Sequence, residues 1–176
     1  MKNNELFKLF VEELEDMYSS ENQIIEALPK LIKLATISDL KQALSKHLKE
    51  TENQVKRIEK IFMLIDLKPK KIPCEAMKGL ITEADSIVEK RGKSAALDAA
   101  IISACQKVEH YEIASYGTLR SFAKQLQLDN DVITLLQDTL EEEAQADKKL
   151  SKIAEGTIFT TGVNQEATEK TASQKK

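Results

Sequence analysis

Between Ile133 and Ala154 an apolar stripe at helical spacing, Ile133, Leu136, Leu140, Leu150 and Ala154, is interrupted by Glu143 and Asp147 in the same phase. The stripe demands a helix with one face buried, and the two acids then point into the same interior. A lone carboxylate taken out of water costs several kcal/mol or picks up a proton. Acids that recur at core positions on several helices therefore need a positive charge in common, and a metal ion is the simplest source of one.

Three further stretches carry the same period. Helix A is expected over about Asn4 to Leu34, with Leu6, Phe10, Leu14, Met17, Ile24 and Leu28 facing inward and Pro29 placed to kink it. Helix B, capped by Ser38, carries Leu40, Leu44, Leu48, Thr51, Val55, Ile58, Phe62 and Ile65. After Pro69 and Pro73 a shorter helix, about Cys74 to Lys90, ends near Gly92. Helix C, capped by Ser94, carries Leu97, Ile101, Cys105, Val108, Glu112, Ser115, Leu119 and Phe122 and stops near Leu128, where Asp129 caps helix D. Five glycines and three prolines leave too little punctuation for a many-stranded sheet.

The expected fold is therefore all-α. Two antiparallel helix hairpins, A–B and C–D, are joined by one long crossover that holds the short extra helix, which is the topology of a ferritin-like four-helix bundle. Residues 1–155 make up that bundle, and the polar, aperiodic tail 156–176 is expected to be disordered.

Composition removes several function classes. Hydrophobic residues make up 41% and charged residues 31%, and the net charge of -3 comes from intermixed Lys and Glu with no basic stripe, so nucleic acid is not an expected partner. No window approaches the length of a membrane span, and MKNNELFKLF lacks a signal-peptide core, so the expected location is the cytoplasm. Cys74 and Cys105 lack CxxC spacing and are expected to stay as thiols. Hydrolase and kinase motifs are missing.

Counting outward from each hairpin turn at equal rise puts Glu21 of helix A level with Glu50 and Gln54 of helix B. The same count puts Glu109 and Glu112 of helix C level with Asp147 and Ala144 of helix D. Glu21, Glu50, Glu109, Glu112, Glu143 and Asp147 are thus the candidate metal ligands, with His47 and Gln54 as possible supporting donors around them. A weak internal repeat of 93 positions sets Asp16 on Glu109 and offers Asp16 in place of Glu21, but Glu21 fits the apolar stripe better. Carboxylates that bridge two cations suit Fe(II) or Mn(II).

The motifs LFVEELEDMYSSENQIIEALPKL, KHLKETENQVKRIE, PCEAMKGL, QKVEHYEIASYGTLR and LEEEAQADKKL resemble those of the YciF family of bacterial stress proteins, within the ferritin-like superfamily. The resemblance spans about Glu5 to Glu155. It implies a dimerising four-helix bundle with a di-iron site, and it supports the same six acids as ligands. Where di-iron bundles place histidine three residues after a ligating glutamate, this chain has Asn53 after Glu50 and Ala146 after Glu143. The site is then rich in oxygen and poor in nitrogen, which leaves manganese as well as iron open. The functional expectation is a dinuclear centre handling iron or a small oxidant, oxygen or peroxide, under stress. The alternative is a non-enzymatic dimeric protection module whose acids are structural.

Overall fold

The computed structural model describes residues 4–70 and 72–173. Asn4 opens the first helix, its Oδ1 accepting from the N–H groups of Leu6 and Phe7 at 2.9 and 3.2 Å. The helices are α1 (Glu5–Leu34), α2 (Ser38–Leu64), α3 (Glu75–Glu89), α4 (Ala95–Gln125), α5 (Asn130–Glu155) and α6 (Val163–Ser173). Ser94 and Asp129 cap α4 and α5 through their side-chain oxygens. Ser38 does not cap α2: it is the first helical residue, and Ile37 stands at the cap without a side-chain bond. That end is held instead by Asp98, whose buried carboxylate on α4 accepts from the Thr36 backbone N–H (2.7 Å) and from the Thr36 hydroxyl.

The four long helices close a square in which α1 packs on α2, α2 on α5, α5 on α4 and α4 on α1. This is the ferritin-like bundle of two hairpins, with α3 in the crossover lying against α1 and α4. Helices α2 and α4 end alike, α2 at the crossover and α4 at the turn into α5. Asp66 and Gln127 adopt φ of 56° and 53°, and Leu67 and Leu128 donate back to the carbonyls of Phe62 and Ala123.

The interior falls into two apolar halves. One holds Phe7, Phe10, Leu14, Met17, Ile58, Phe62, Tyr116, Leu119 and Leu136. The other holds Ile24, Leu28, Leu40, Leu44, Leu97, Ile101, Cys105 and Leu150. On every long helix the residues between the two sets are polar and buried: Glu21 on α1, His47, Thr51 and Gln54 on α2, Glu109 and Glu112 on α4, Glu143 on α5. A polar layer thus cuts the core at one level of the bundle.

The tail departs from the sequence expectation. Residues 156–161 form a two-stranded hairpin, β1 (Gly156–Thr157) with β2 (Thr160–Thr161), and α6 follows and packs on α4 and α5. Glycine at two positions permits this return. A Cβ on Gly156, whose φ is +80°, would sit 2.5 Å from the Gly162 nitrogen, and one on Gly162 would sit 2.3 Å from the Glu155 carbonyl carbon. Val163 then buries itself in the core, while Ile158 and Phe159 stand exposed at the hairpin tip. The last three residues of the tail lie outside the described residues. Cys74 and Cys105 are both buried free thiols. Among the described residues no helix is long and apolar enough to cross a membrane.

Candidate metal centre

The polar layer exists because each long helix spends one inward-facing turn on a polar residue in place of an apolar one. On α4, Glu109 and Glu112 lie three apart, so both fall on the face that carries Cys105 above and Tyr116 below. Glu143 lies seven residues after Leu136 and seven before Leu150, both in the core. His47 lies three after Leu44, and Gln54 four before Ile58.

The bundle gathers His47, Glu109, Glu112 and Glu143, all buried, with one ligating atom from each within 4.8 Å of the others. His47 Nε2 stands 3.4 Å from Glu109 Oε1 and 4.0 Å from Glu143 Oε2. Glu21 completes the layer from α1 and is wholly buried. The Tyr116 hydroxyl donates to Glu21 Oε1, and Gln54 Nε2 donates to Glu143 Oε1 and, at 3.0 Å, to Glu142 Oε2. Arg57 holds Glu142 in a two-pronged pair at 2.6 and 2.7 Å. Burial raises the Glu142 carboxyl, but the Arg57 and Gln54 hydrogen bonds outweigh it and leave Glu142 below its ordinary value.

The central acids behave in the opposite way. Burial first, then the Glu143 charge, pushes Glu21 well above the usual carboxylate range. Burial also dominates for Glu109 and Glu112, reinforced by Glu143 at the first and by Glu21 and Glu143 at the second. Glu112 has no hydrogen-bond partner on either oxygen, and Glu21 Oε2, Glu109 Oε2, Glu143 Oε2 and His47 Nε2 are also unpaired. Folded proteins leave few buried polar atoms unpaired, so a ring of them around one point has the chemistry of a cation site. The residues present fit such a group: Glu21, Glu109, Glu112 and Glu143 offer four negative charges, matching two divalent cations, with His47 as a neutral nitrogen donor.

Several sequence-predicted positions lie elsewhere. Glu50 turns out of the layer, its side chain 22% exposed, and pairs with Lys46. In an ideal helix it points about 60° from His47, on the side away from Thr51. Asp147 is half-buried and accepts from Gln106 at 2.9 Å, with His110 at 3.4 Å. It sits about 40° off the Glu143 direction, and Leu150 continues the core in its place. Asp16 accepts from the Tyr111 hydroxyl at 2.6 Å instead of joining the cluster, so Glu21 is the helix A acid in the layer. His47, expected as a supporting donor, stands inside the buried cluster with Glu109, Glu112 and Glu143.

Tyr116, expected from sequence to pack with a hydrogen-bonding tip, is buried and donates to Glu21. The Arg57–Glu142 pair, which joins α2 to α5 beside Glu143, was not foreseen. Pairing across helices is what sequence alone does not reveal.

A family model described as Domain of unknown function (DUF892) matches residues 5–168. The chain belongs to this family. Within DUF892 it is 46% identical to protein YciF of Escherichia coli strain K12 over 147 residues, 83% of this chain and 88% of that protein. The crystal structure of the E. coli stress protein YciF superposes with a TM-score of 0.81 at 44% identity, covering 85% of this chain and 94% of that one. The solved structure of YcfI from Rhodopseudomonas palustris gives 0.82 at 42% identity, covering 86% and 96%. The chain is thus a YciF-like DUF892 protein.

Proposed function

We propose that this DUF892 protein holds a pair of divalent metal ions, iron or manganese, in the polar layer and uses them under stress to handle iron or a small oxidant, oxygen or peroxide. The observation that carries the reading is the set of unpaired buried atoms on Glu21, His47, Glu109, Glu112 and Glu143. Glu21, His47, Glu109, Glu112 and Glu143 would hold the metal, which when bound in its reduced state would supply the electrons an oxidant takes up. The chain's own part is to fix the carboxylates on rigid helices at one level between the two apolar halves. Gln54 and Tyr116 orient Glu143 and Glu21 by donating to one oxygen of each, which leaves the other free for a cation. The proposal takes the protein as a cytoplasmic homodimer, which sedimentation and fractionation would check.

The test is loading with Fe(II) or Mn(II) after purification without chelator. A real site stabilises the folded state by mass action, so the unfolding midpoint should rise with metal concentration. Oxygen or peroxide consumption should follow Fe(II) loading. Less than about half an ion bound per chain at neutral pH, with no stabilisation, would defeat the proposal.

A further inference from the structure

Two cavities reach the cluster from different sides, and both touch His47 and Glu109. The wider one, about 760 Å³, opens between α2 and α5 and is lined by Lys46, Glu50, Lys148, Lys149 and Lys152, a polar route suited to water and ions. The other, about 350 Å³, lies under α3 between α1 and α4 and is walled by Ile24, Leu28, Ile81, Ala104 and Val108. A hydrated ion gains nothing from such walls.

Helix α3 covers this second space only in part. It carries an apolar stripe, Met77, Leu80, Ile81, Ala84 and Val88, of which Met77 and Val88 are buried while Leu80 and Ile81 pack half-buried against the core. Ile81 and Ala84 also line the cavity. What holds α3 there is polar: Lys30 to Asp85 at 2.7 Å at the rim, and Gln23 Nε2 to the Cys74 carbonyl at 3.1 Å. Half-open, mostly apolar clefts of a few hundred Å³ are a usual form of small-molecule sites. At the inner end stand His47 and Glu109, 6% and 2% exposed, with His47 Nε2 and Glu109 Oε2 unpaired.

We propose that this cavity binds a small uncharged organic molecule, its aliphatic body between α1, α3 and α4 and its hydroxyl or carbonyl end against His47 and Glu109. At about 30 Å³ for a water-sized unit, the volume admits on the order of a dozen heavy atoms. The charged side chains that line it, Glu26, Lys30, Lys78 and Asp85, belong to its outer rim, and the apolar inner walls offer no partner to a charged group. The assignment of the polar end rests on the metal-centre reading above; the aliphatic body does not.

The test uses 1-octanol as the probe, followed by amide chemical shifts on the metal-free protein and by titration calorimetry on the metal-free and Mn(II)-loaded protein, with metal uptake measured in parallel. Saturable binding tighter than about 1 mM is expected in both forms, with shifts in the metal-free form concentrated at Ile81, Ala104 and Val108. Filling the space with Ala104→Phe, or from the crossover helix with Ile81→Trp, should weaken octanol at least about tenfold and leave Mn(II) uptake unchanged. Octanol binding that persists in a protein that takes up no metal would uphold the pocket and defeat only the metal reading. Metal uptake without saturable octanol binding, octanol affinity that neither variant changes, or equal binding of octanoate or octylamine would overturn the proposal.

Discussion

Glu112 offers the sharpest check on the electrostatics of the centre, because it is fully buried and neither oxygen has a partner. Burial, then the neighbouring Glu21 and Glu143 charges, raises its carboxyl well above the ordinary value, so the metal-free folded protein keeps a proton there that the unfolded chain gives up above about pH 5. The folded state then binds more protons than the unfolded one, and stability must fall as pH rises through that window. Each such group contributes about 1.4 kcal/mol per pH unit. Glu112→Gln is neutral in both states and removes one of them. Between pH 5.5 and 7.5 the metal-free wild type should therefore lose stability relative to the variant, by at most about 1.4 kcal/mol per pH unit while the folded state holds that proton. Urea unfolding in chelator-treated buffer across that range measures the difference. Parallel stability curves for the two proteins would refute the reasoning, since they would mean that Glu112 is ionised in the folded state or never leaves water. Added Mn(II) should invert the wild-type trend, because ligands must shed protons to bind and metal stabilisation then grows with pH.

Other outcomes follow from the same geometry. Glu143→Gln should abolish metal-dependent stabilisation, while Glu50→Gln and Asp147→Asn should leave it intact, as read by thermal shift with Mn(II). Tyr116→Phe removes the hydroxyl that donates to Glu21 and should destabilise the metal-free protein by about 1–3 kcal/mol in urea unfolding, the cost of stranding a buried acceptor. Gln127→Gly should stabilise by about 0.5–1 kcal/mol in the same assay, since Gln127 holds a left-handed φ of 53° that glycine adopts without strain. Val163→Asp should release α6, seen as lost amide-exchange protection from Val163 onward, while the bundle helices keep theirs.

How much of this was legible in the sequence depended on whether the signal was periodic or relational. The helices and their pairing announced themselves, because Leu14, Met17, Leu44, Ile58, Leu119 and Leu136 recur at helical spacing and all are buried. Glu109, Glu112 and Glu143 share that phase and were found with it. The structure sets Glu50 and Asp147 outside the buried layer because helical phase is read from sequence only to within one neighbour. A residue three or four positions from a buried one points 40° to 60° away, and whether it turns in or out is settled by what faces it, here Lys46 for the first and Gln106 for the second. The tail failed for a different reason. Its order depends on Gly156, Gly162 and Val163 meeting the end of α5, and two glycines six apart in a polar stretch have the same composition as a linker. The buried acids also show why a sequence can specify a metal layer without a histidine motif. Two apolar halves fix the helices, and once they are fixed, four carboxylates at one level must share either protons or cations. The pH dependence of the metal-free protein and the metal dependence of the loaded one are then two measurements of a single competition.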